Sequence, residues 1–179
     1  MAMGVPTDAE LVRRARAGSG DAAGELFERH WPGAWRAARV VTGSRAMADD
    51  VAQDAFERAF AALGRFDRRR PFGPWLHRIV VNRAIDWARA RTLRAEISDD
   101  GTIERAAART RAEASDAEAL ASGLAALSPE HRAVIVLRHL LDYTPGEIAE
   151  LLELPRGTVN SRLRRGLDAL REAIGEELR

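Results

Sequence analysis

Arginines alternate with aromatic residues over residues 65–94, which hold nine arginines but only two acids, Asp67 and Asp86. Planar rings stack on unpaired nucleic-acid bases, while guanidinium groups hold the phosphates between them. The segment therefore predicts a surface that binds single-stranded nucleic acid. Its candidate residues are Phe66, Arg69, Arg70, Phe72, Trp75, Arg78, Asn82 and Arg89.

The same residues allow a structural interpretation, in which the rings are core and the arginines solvate the surface. Apolar periodicity favours core positions for Trp75 and Trp87, whereas both alternatives stay open for Phe66 and Phe72, in the Gly/Pro/Arg-rich loop expected over 64–74. On the following helix, Arg78, Asn82 and Arg89 are spaced by four and seven residues, so they share a face. From that face Asn82 can contact a base edge.

A second set of residues lies in the segment 144–165, TPGEIAELLELPRGTVNSRLRR, which has the pattern of a helix-turn-helix. Thr144, Pro145 and Glu147 form a capping box with proline at the first helical position, and the Leu154–Pro155 pair ends that helix. The next helix turns polar side chains outward, as major-groove recognition requires. The candidates for duplex contact are Thr158, Asn160, Ser161, Arg162, Arg164 and Arg165. The alternative is an ordinary helical hairpin on the surface.

Three acids, Asp49, Asp50 and Asp54, form a patch near the start of a helix. A divalent cation is conceivable there, but no third ligand has suitable spacing, so we predict no metal and no cofactor. An acidic patch at a helix start favours dipole complementation or a protein contact instead. We find no phosphate loop, nucleophile elbow or Ser/His/Asp arrangement, so we predict that the chain is not an enzyme.

The elements that must position these residues are helices, because no stretch alternates as a strand does. We expect helices at 8–17, 21–41, 44–63 and 75–94, with Pro32 interrupting the second. Residues 95–116, acidic and poor in large apolar side chains, predict a flexible or weakly helical linker. Ser115 and Ser128 are the expected caps of the next two helices. The predicted fold is all-α, with small helical domains at 1–94 and 117–179.

The composition limits the cellular compartment expected for the protein and the kinds of chemical site that it can carry. The chain has 179 residues and no cysteine, which excludes disulfides, thiol catalysis and thiolate metal sites. No apolar run approaches the roughly 20 residues of a membrane span, and the N-terminus lacks the core of a signal peptide. We therefore expect a cytoplasmic protein.

Taken together, these motifs resemble the extracytoplasmic-function (ECF) group of bacterial sigma-70-type sigma factors. DDVAQDAFERAFAALGRFD at 49–67 resembles region 2.2 and the start of 2.3, and RRPFGPWLHRIVVNRAIDWARAR at 69–91 resembles regions 2.3 and 2.4. The segment 127–171 resembles region 4. The resemblance covers roughly residues 7–94 and 117–174, and two motif blocks in the right order are more specific than a helix-turn-helix alone.

The resemblance implies a factor that binds core RNA polymerase and directs it to promoters. Region 2.2 would dock on the coiled coil of the largest subunit through Asp49, Asp50, Gln53 and Asp54. Phe66, Phe72 and the loop between them would hold a flipped base of the melted −10 strand, with Asn82 touching a neighbouring base. Region 4 would read the −35 element as duplex and contact the polymerase flap. An anti-sigma factor is an expected further partner, and it provides the only expected route to a membrane.

Three other functions are compatible with parts of the chain. A DNA-binding regulator that works without polymerase would use the helix-turn-helix, but it leaves residues 44–94 unexplained. A helical metal-dependent enzyme would use Asp49, Asp50 and Asp54, and would lose activity on Asp50→Asn. An interaction module would use the acidic patch to bind another protein.

Overall fold

The computed structural model describes residues 5–97 and 116–177, and within those ranges the chain is helical and has no strand. The all-α fold class is therefore confirmed. A 3₁₀ turn at Leu63–Arg65 follows α3, and a π-helical segment at Val136–Leu140 continues α6. The α-helices are α1 Asp8–Arg16, α2 Gly20–Thr42, α3 Arg45–Ala62, α4 Phe72–Ile97, α5 Asp116–Ala126, α6 Pro129–Ile135, α7 Pro145–Leu152 and α8 Arg156–Glu177.

Side-chain caps fix where several helices begin. Thr7, Ser19 and Ser44 each accept a hydrogen bond from a backbone N–H in the first turn of the helix that follows. Ser128 caps α6 in the same way, as the sequence predicts. Each such bond satisfies an N–H that has no partner within the helix. The predicted Ser115 cap lies outside the described residues.

The N-terminal domain, α1 to α4, has a core rich in alanine. Ala34, Ala37 and Ala38 of α2 are fully buried, as are Ala52 and Ala55 of α3. Small side chains let helix axes approach closely, and larger buried rings and branched residues fill the rest of the core. These larger residues are Leu11, Leu26, Phe56, Phe72, Leu76 and Val80.

Two predicted boundaries in this domain are wrong. Pro32 does not interrupt α2, which runs continuously from Gly20 to Thr42. Buried residues on both sides of the proline, Leu26 and Ala34 among them, hold the two halves of α2 against the rest of the core. Helix α4 begins at Phe72 rather than Trp75, which shortens the expected loop. At Pro32, tertiary packing outweighs the local helix-breaking signal. At α4, Pro74 lies in the first turn, where proline is tolerated because an N–H there has no partner within the helix.

The C-terminal domain, α5 to α8, packs around the long helix α8. A Cβ atom at Gly123 would lie 2.9 Å from Leu170 Cδ1, and one at Gly166 would lie 3.0 Å from Ile135 Cδ1. Glycine at these positions lets α5 and α6 approach α8 closely. The two predicted inward positions, Val159 and Leu163, are both buried.

The two domains share one continuous cluster of buried apolar residues. Helices α2 and α4 contact α6, and α4 also contacts α7. Of the predicted linker at 95–116, only residues 95–97, at the end of α4, and 116, at the start of α5, are described. None of the helices in the described part of the chain is long and apolar enough to cross a membrane.

Candidate nucleic-acid and polymerase interfaces

The acidic patch on α3 contains residues in different situations. Asp50 and Gln53 are exposed, and Gln53 Nε2 donates a 3.1 Å hydrogen bond to Glu57. Asp49 is also exposed, but Trp35 Nε1 donates to its Oδ1 at 2.7 Å. Asp49 is therefore oriented by α2, whereas Asp50 projects from α3 as the free carboxylate of the patch.

Asp54 ties α3 to α4. Its carboxylate accepts hydrogen bonds from Arg58 Nε at 2.9 Å and from Arg83 Nε at 2.5 Å. Burial raises the pKa of Asp54, but the hydrogen bonds and charges of the two arginines outweigh it and leave the pKa below its ordinary value. Asp54 thus stays ionised and has a structural contact that the sequence did not indicate.

This geometry disfavours a cation at the patch. Trp35 engages Asp49 and two arginines neutralise Asp54, so only Asp50 is left as a free ligand. Over the described ranges, no group of three His, Cys, Asp or Glu side chains is arranged as a metal site. Asp49 and Asp54 are therefore engaged by other side chains rather than directed at a shared site.

A cavity of about 320 Å³ opens between the end of α3 and the start of α4. The turn beside it is built by Asp67, whose carboxylate accepts from Arg69 N at 3.0 Å while its carbonyl accepts from Arg70 N at 3.0 Å. From α1, Arg16 Nη2 donates to Gly64 O at 2.7 Å. These bonds hold the loop in place. The cavity is lined by Ala62, Arg65, Phe66, Asp67, Arg70, Trp75 and Arg78.

The three predicted stacking rings differ in exposure. Phe72 is 1 % exposed, in the first turn of α4, where it packs against Phe66, Trp75 and His30. Its ring is therefore core, and we correct its assignment as a wall of the base pocket. Phe66 is 7 % exposed, yet it lines the cavity together with the half-buried Trp75, with ring centroids 4.7 Å apart. These two rings and not Phe72 form the aromatic wall.

The face of α4 that carries Arg78, Asn82 and Arg89 continues from this cavity. Asn82 is exposed. Arg78 Nη2 lies 2.7 Å from Glu153 Oε1, and Arg89 Nη2 lies 2.5 Å from Glu130 Oε1. Burial raises the pKa of Glu130, but its backbone hydrogen bond and Arg89 outweigh it and leave the pKa below its ordinary value. Both acids belong to the C-terminal domain.

The helix-turn-helix has the local structure that the sequence predicts. Thr144 Oγ1 accepts from Glu147 N at 3.3 Å, and Glu147 Oε2 accepts from Thr144 N at 2.8 Å, which completes the capping box. The turn passes through Glu153 in the left-handed region, at φ 55°, and α8 begins at Arg156.

The predicted duplex-contact residues lie along the first half of α8. Asn160, Arg164 and Arg165 are exposed, and Thr158, Ser161 and Arg162 are half-buried. Ser161 Oγ donates to Thr158 O at 2.9 Å. Among the described residues, Arg162, Arg164 and Arg165 have no hydrogen-bond or ion-pair partner. Their guanidinium groups are therefore free to bind an external anion.

The predicted site residues omit Arg16 and Arg65, and they include Asp67 only as part of the loop between Phe66 and Phe72. All three residues position or line the cavity. Asp67 carried a signal, because an aspartate in a loop often accepts a hydrogen bond from the backbone N–H two residues later, which forms an Asx turn. Arg16 carried none, since its contact with Gly64 joins residues 48 positions apart.

Comparisons with known proteins agree with this arrangement of two domains. The chain matches the family model for sigma-70 region 2 over residues 26–94 and the one for sigma-70 region 4 over residues 117–170. The ECF RNA polymerase sigma factor SigM of Mycobacterium tuberculosis is 33% identical over 171 residues, covering 94% of this chain and 85% of SigM. SigW of Bacillus subtilis is 28% identical over 179 residues, covering 91% of this chain and 94% of SigW.

A solved structure gives the same result for the fold. CnrH, whose structure was determined in complex with the cytosolic domain of CnrY, matches with a TM-score of 0.69 and 31% identity, covering 94% of this chain and 97% of CnrH. Two family models in the expected order, curated relatives along most of the chain and a shared fold identify the protein. The chain belongs to the ECF group of RNA polymerase sigma factors, which direct transcription.

Proposed function

We propose that the two domains divide promoter recognition, the N-terminal domain capturing the melted −10 strand and the C-terminal domain reading the −35 element as duplex. The observation that supports this most strongly is the cavity of about 320 Å³, because an aromatic wall and arginines meet there at the end of a basic helix face. Melting costs about 1.4 kcal/mol for each base step, and a pocket for an unpaired base offsets part of that cost.

The chemistry of this cavity suits a single strand. Phe66 and Trp75 offer ring surface, while Arg65 and Arg70 are exposed at the edges of the cavity. Base stacking on an aromatic side chain contributes about 1–3 kcal/mol and tolerates different bases. Arg69 and Asn82 extend the same surface, with Arg69 placed for phosphate contact and Asn82 for a base edge.

The chemistry of α8 suits a duplex. Its first turns present Asn160, Arg164 and Arg165 to solvent with no competing partner among the described residues. An asparagine can bind adenine through two hydrogen bonds, and an arginine can bind guanine in the same way or hold a phosphate. Thr158, Ser161 and Arg162 complete the set at the edges of the helix.

The polymerase surface is α3. Asp50 and Gln53 are accessible for direct contact with the coiled coil of the largest subunit, Asp49 is held in orientation by Trp35, and Asp54 stabilises the α3–α4 contact. The C-terminal domain would contact the flap. Such a factor acts by binding and is not an enzyme, and it works where the polymerase is, in the cytoplasm. CnrH was solved with the cytosolic domain of CnrY. We propose an anti-sigma factor as a partner of this chain.

The test is transcription by purified core polymerase from a panel of genomic promoter fragments, with and without the protein. We expect new discrete start sites whose upstream sequences align in two elements. Asp50→Arg should abolish both these transcripts and binding to core polymerase, because it reverses the free carboxylate of the patch. Glu28→Arg, at an exposed position of α2, is the matched control. Sequence-specific duplex binding without polymerase, and no protein-dependent transcript, would instead support the polymerase-independent regulator.

A further inference from the structure

A second cavity, of about 480 Å³, lies on the α1 side of the loop that carries Phe66. Phe66 and Asp67 line both this cavity and the first one, so the two adjoin. The volume falls within the range of about 300–1,000 Å³ that is usual for ligand sites. The other lining residues of the second cavity come from α1 and from the loop, and they are Ala9, Arg13, Arg68 and Arg69.

The lining of the second cavity is positively charged. Arg68 and Arg69 are exposed, and their guanidinium groups have no hydrogen-bond or ion-pair partner among the described residues. Arg13 Nη2 lies 3.4 Å from Glu10 Oε1, in a pair whose side chains are 65% and 46% exposed, so this contact is weak. The carboxylate of Asp67 already accepts from Arg69 N. Three arginines therefore line the cavity against one acid, which is a charge balance that suits a phosphodiester.

Long-range contacts hold the walls of the second cavity in place. The carboxylate of Asp8, at the start of α1, accepts from Arg29 Nη1 at 2.7 Å and lies 2.7 Å from His30 Nε2, so α1 is fixed to α2. At the other end of α1, Arg16 Nη2 donates to Gly64 O at 2.7 Å, which fixes α1 to the turn before the loop. A ligand therefore meets walls that are already positioned, and less entropy is lost on binding.

We propose that the second cavity binds the nucleotide next to the captured base, chiefly through its phosphodiester. Arg13 and Arg68 hold the phosphate, and Arg69, proposed for phosphate contact, lines this cavity and not the first. Because Phe66 lines both cavities, its ring then separates two successive nucleotides of the strand. The inference rests on the proposed capture of an unpaired base by the first cavity.

The positions of the two cavities give the direction of the strand. Arg78, at the α4 edge of the first cavity, contacts Glu153 of the C-terminal domain. That domain is proposed to read the upstream −35 element, whereas the second cavity lies beyond the loop, against α1. Since the non-template strand runs 5′ to 3′ away from the −35 element, the second cavity takes the nucleotide on the 3′ side of the captured base.

The experiment uses holoenzyme and a nested set of fluorescent single strands from a promoter whose start site has been mapped. The strands share a 5′ end and are shortened one nucleotide at a time from the 3′ end, through the −10 element. Fluorescence anisotropy measures binding by the unaltered protein and by Arg13→Ala/Arg68→Ala. The matched control is Arg14→Ala/Arg36→Ala, because it removes two exposed arginines that line neither cavity.

We expect the unaltered holoenzyme to lose affinity at two successive truncations, first at the nucleotide in the second cavity and then at the captured base. In Arg13→Ala/Arg68→Ala the first loss should disappear and the second should stay. The affinity of this variant for the longest strand should fall about three-fold to thirty-fold, because two exposed guanidinium–phosphate pairs are lost. Its plot of log affinity against log salt should become shallower by about 0.7 for each phosphate that is no longer bound.

Three results would overturn the second site. The first is a single loss of affinity along the truncation series of the unaltered holoenzyme. The second is an Arg13→Ala/Arg68→Ala holoenzyme that still loses affinity at the first truncation. The third is a fall in affinity and salt dependence no greater than that of Arg14→Ala/Arg36→Ala.

Failure of the proposed function gives a different result. Arg70→Ala/Trp75→Ala changes residues of the first cavity alone, so it should abolish the second loss of affinity and keep the first. If the second loss persists in this variant, base capture by the first cavity is wrong, whatever the variants of the second cavity show.

Discussion

The two surfaces proposed to bind DNA differ in how their arginines are satisfied. On α4, Arg78 and Arg89 are paired with acids from the other domain. On α8, Arg162, Arg164 and Arg165 have no partner among the described residues. The surface of α8 is therefore available in this arrangement, whereas the basic face of α4 is partly covered by the C-terminal domain.

The two surfaces also differ in the contacts that hold their side chains in position. The α4 surface depends on long-range contacts, such as Arg16 with Gly64 and Arg83 with Asp54. The α8 surface depends on local signals, chiefly the Thr144 capping box and the turn before Arg156. Disturbing one kind of contact should therefore leave the other surface intact, which makes the comparison testable.

The largest expected effect is on strand capture. Arg70→Ala/Trp75→Ala removes a phosphate ligand and a stacking ring, so holoenzyme affinity for the −10 single strand should fall at least ten-fold, with duplex −35 affinity unchanged. Fluorescence anisotropy with the two separate DNA probes measures both. Arg91→Ala/Trp87→Ala is the control, because that arginine lies over that ring, 5.7 Å from its centroid, at residues that do not line the cavity. An equal loss in the control would contradict the assignment.

A several-fold effect is expected on duplex binding. Arg164→Ala/Arg165→Ala should weaken holoenzyme binding to the −35 duplex and lower the slope of log affinity against log salt by about one for each phosphate that the variant no longer binds. Single-strand binding should not change. Arg36→Ala/Arg171→Ala alters two exposed arginines elsewhere and keeps the charge matched. A salt slope that is the same in both variants would show that α8 does not hold phosphates.

A pH effect is expected at the boundary between the two domains, where His77 contacts Tyr143. Burial lowers the pKa of His77 to about 4, and the nearby His30 charge adds to the shift, while Tyr143 is its hydrogen-bond partner. Because the ordinary value is 6.5, the unfolded chain binds a proton between about pH 6.5 and 4 that the folded chain does not. Stability should therefore fall as pH falls through that window, by at most about 1.4 kcal/mol per unit.

His77→Gln isolates this effect, because carboxylates that titrate in the same window are common to both proteins. Denaturant unfolding at several pH values should show a shallower loss of stability in the variant than in the unaltered protein. Parallel curves would mean that His77 does not titrate as its burial implies.

The smallest expected effect is on the local structure of the duplex-reading domain. Thr144→Ala removes the cap of α7 and should cost about 1 kcal/mol of stability. It should also weaken duplex binding slightly and leave the affinity for the single strand unchanged. Thr7→Ala, which removes the cap of α1, is the matched control in the other domain. Calorimetry measures the loss of stability in each variant, and the two DNA probes measure its binding. Identical binding profiles for the two variants would contradict the proposed independence of the two surfaces.

The features predicted correctly from the sequence are those that depend on local contacts. The helix-turn-helix, its capping box and its inward residues Val159 and Leu163 were predicted correctly, because caps and periodicity are local signals. The continuity of α2 was predicted wrongly, because packing of the residues around Pro32 outweighs local preference. The start of α4 was predicted wrongly, because Pro74 is tolerated in the first turn of a helix. The assignment of Phe72 to the base pocket was wrong, because its ring is buried in the core.

The rest of the candidate site could not be predicted from the sequence. Aromatic side chains in a loop can lie in the core or on the surface. Only the packing of Phe66 against Trp75 shows which rings line the cavity. By spacing alone Asp54 is equivalent to Asp50, and only the position of Arg83 in the fold distinguishes them. The pairing of Glu130 and Glu153 with α4 joins distant parts of the chain, which no spacing rule indicates.

The most direct test of the division of labour crosses two variants with two DNA probes. With a promoter obtained by mapping start sites on genomic fragments, holoenzymes carrying Arg70→Ala/Trp75→Ala or Arg164→Ala/Arg165→Ala are titrated with the −10 single strand and the −35 duplex. We predict that the first variant loses only single-strand affinity and the second only duplex affinity. Comparable loss of both affinities in either variant would contradict the account.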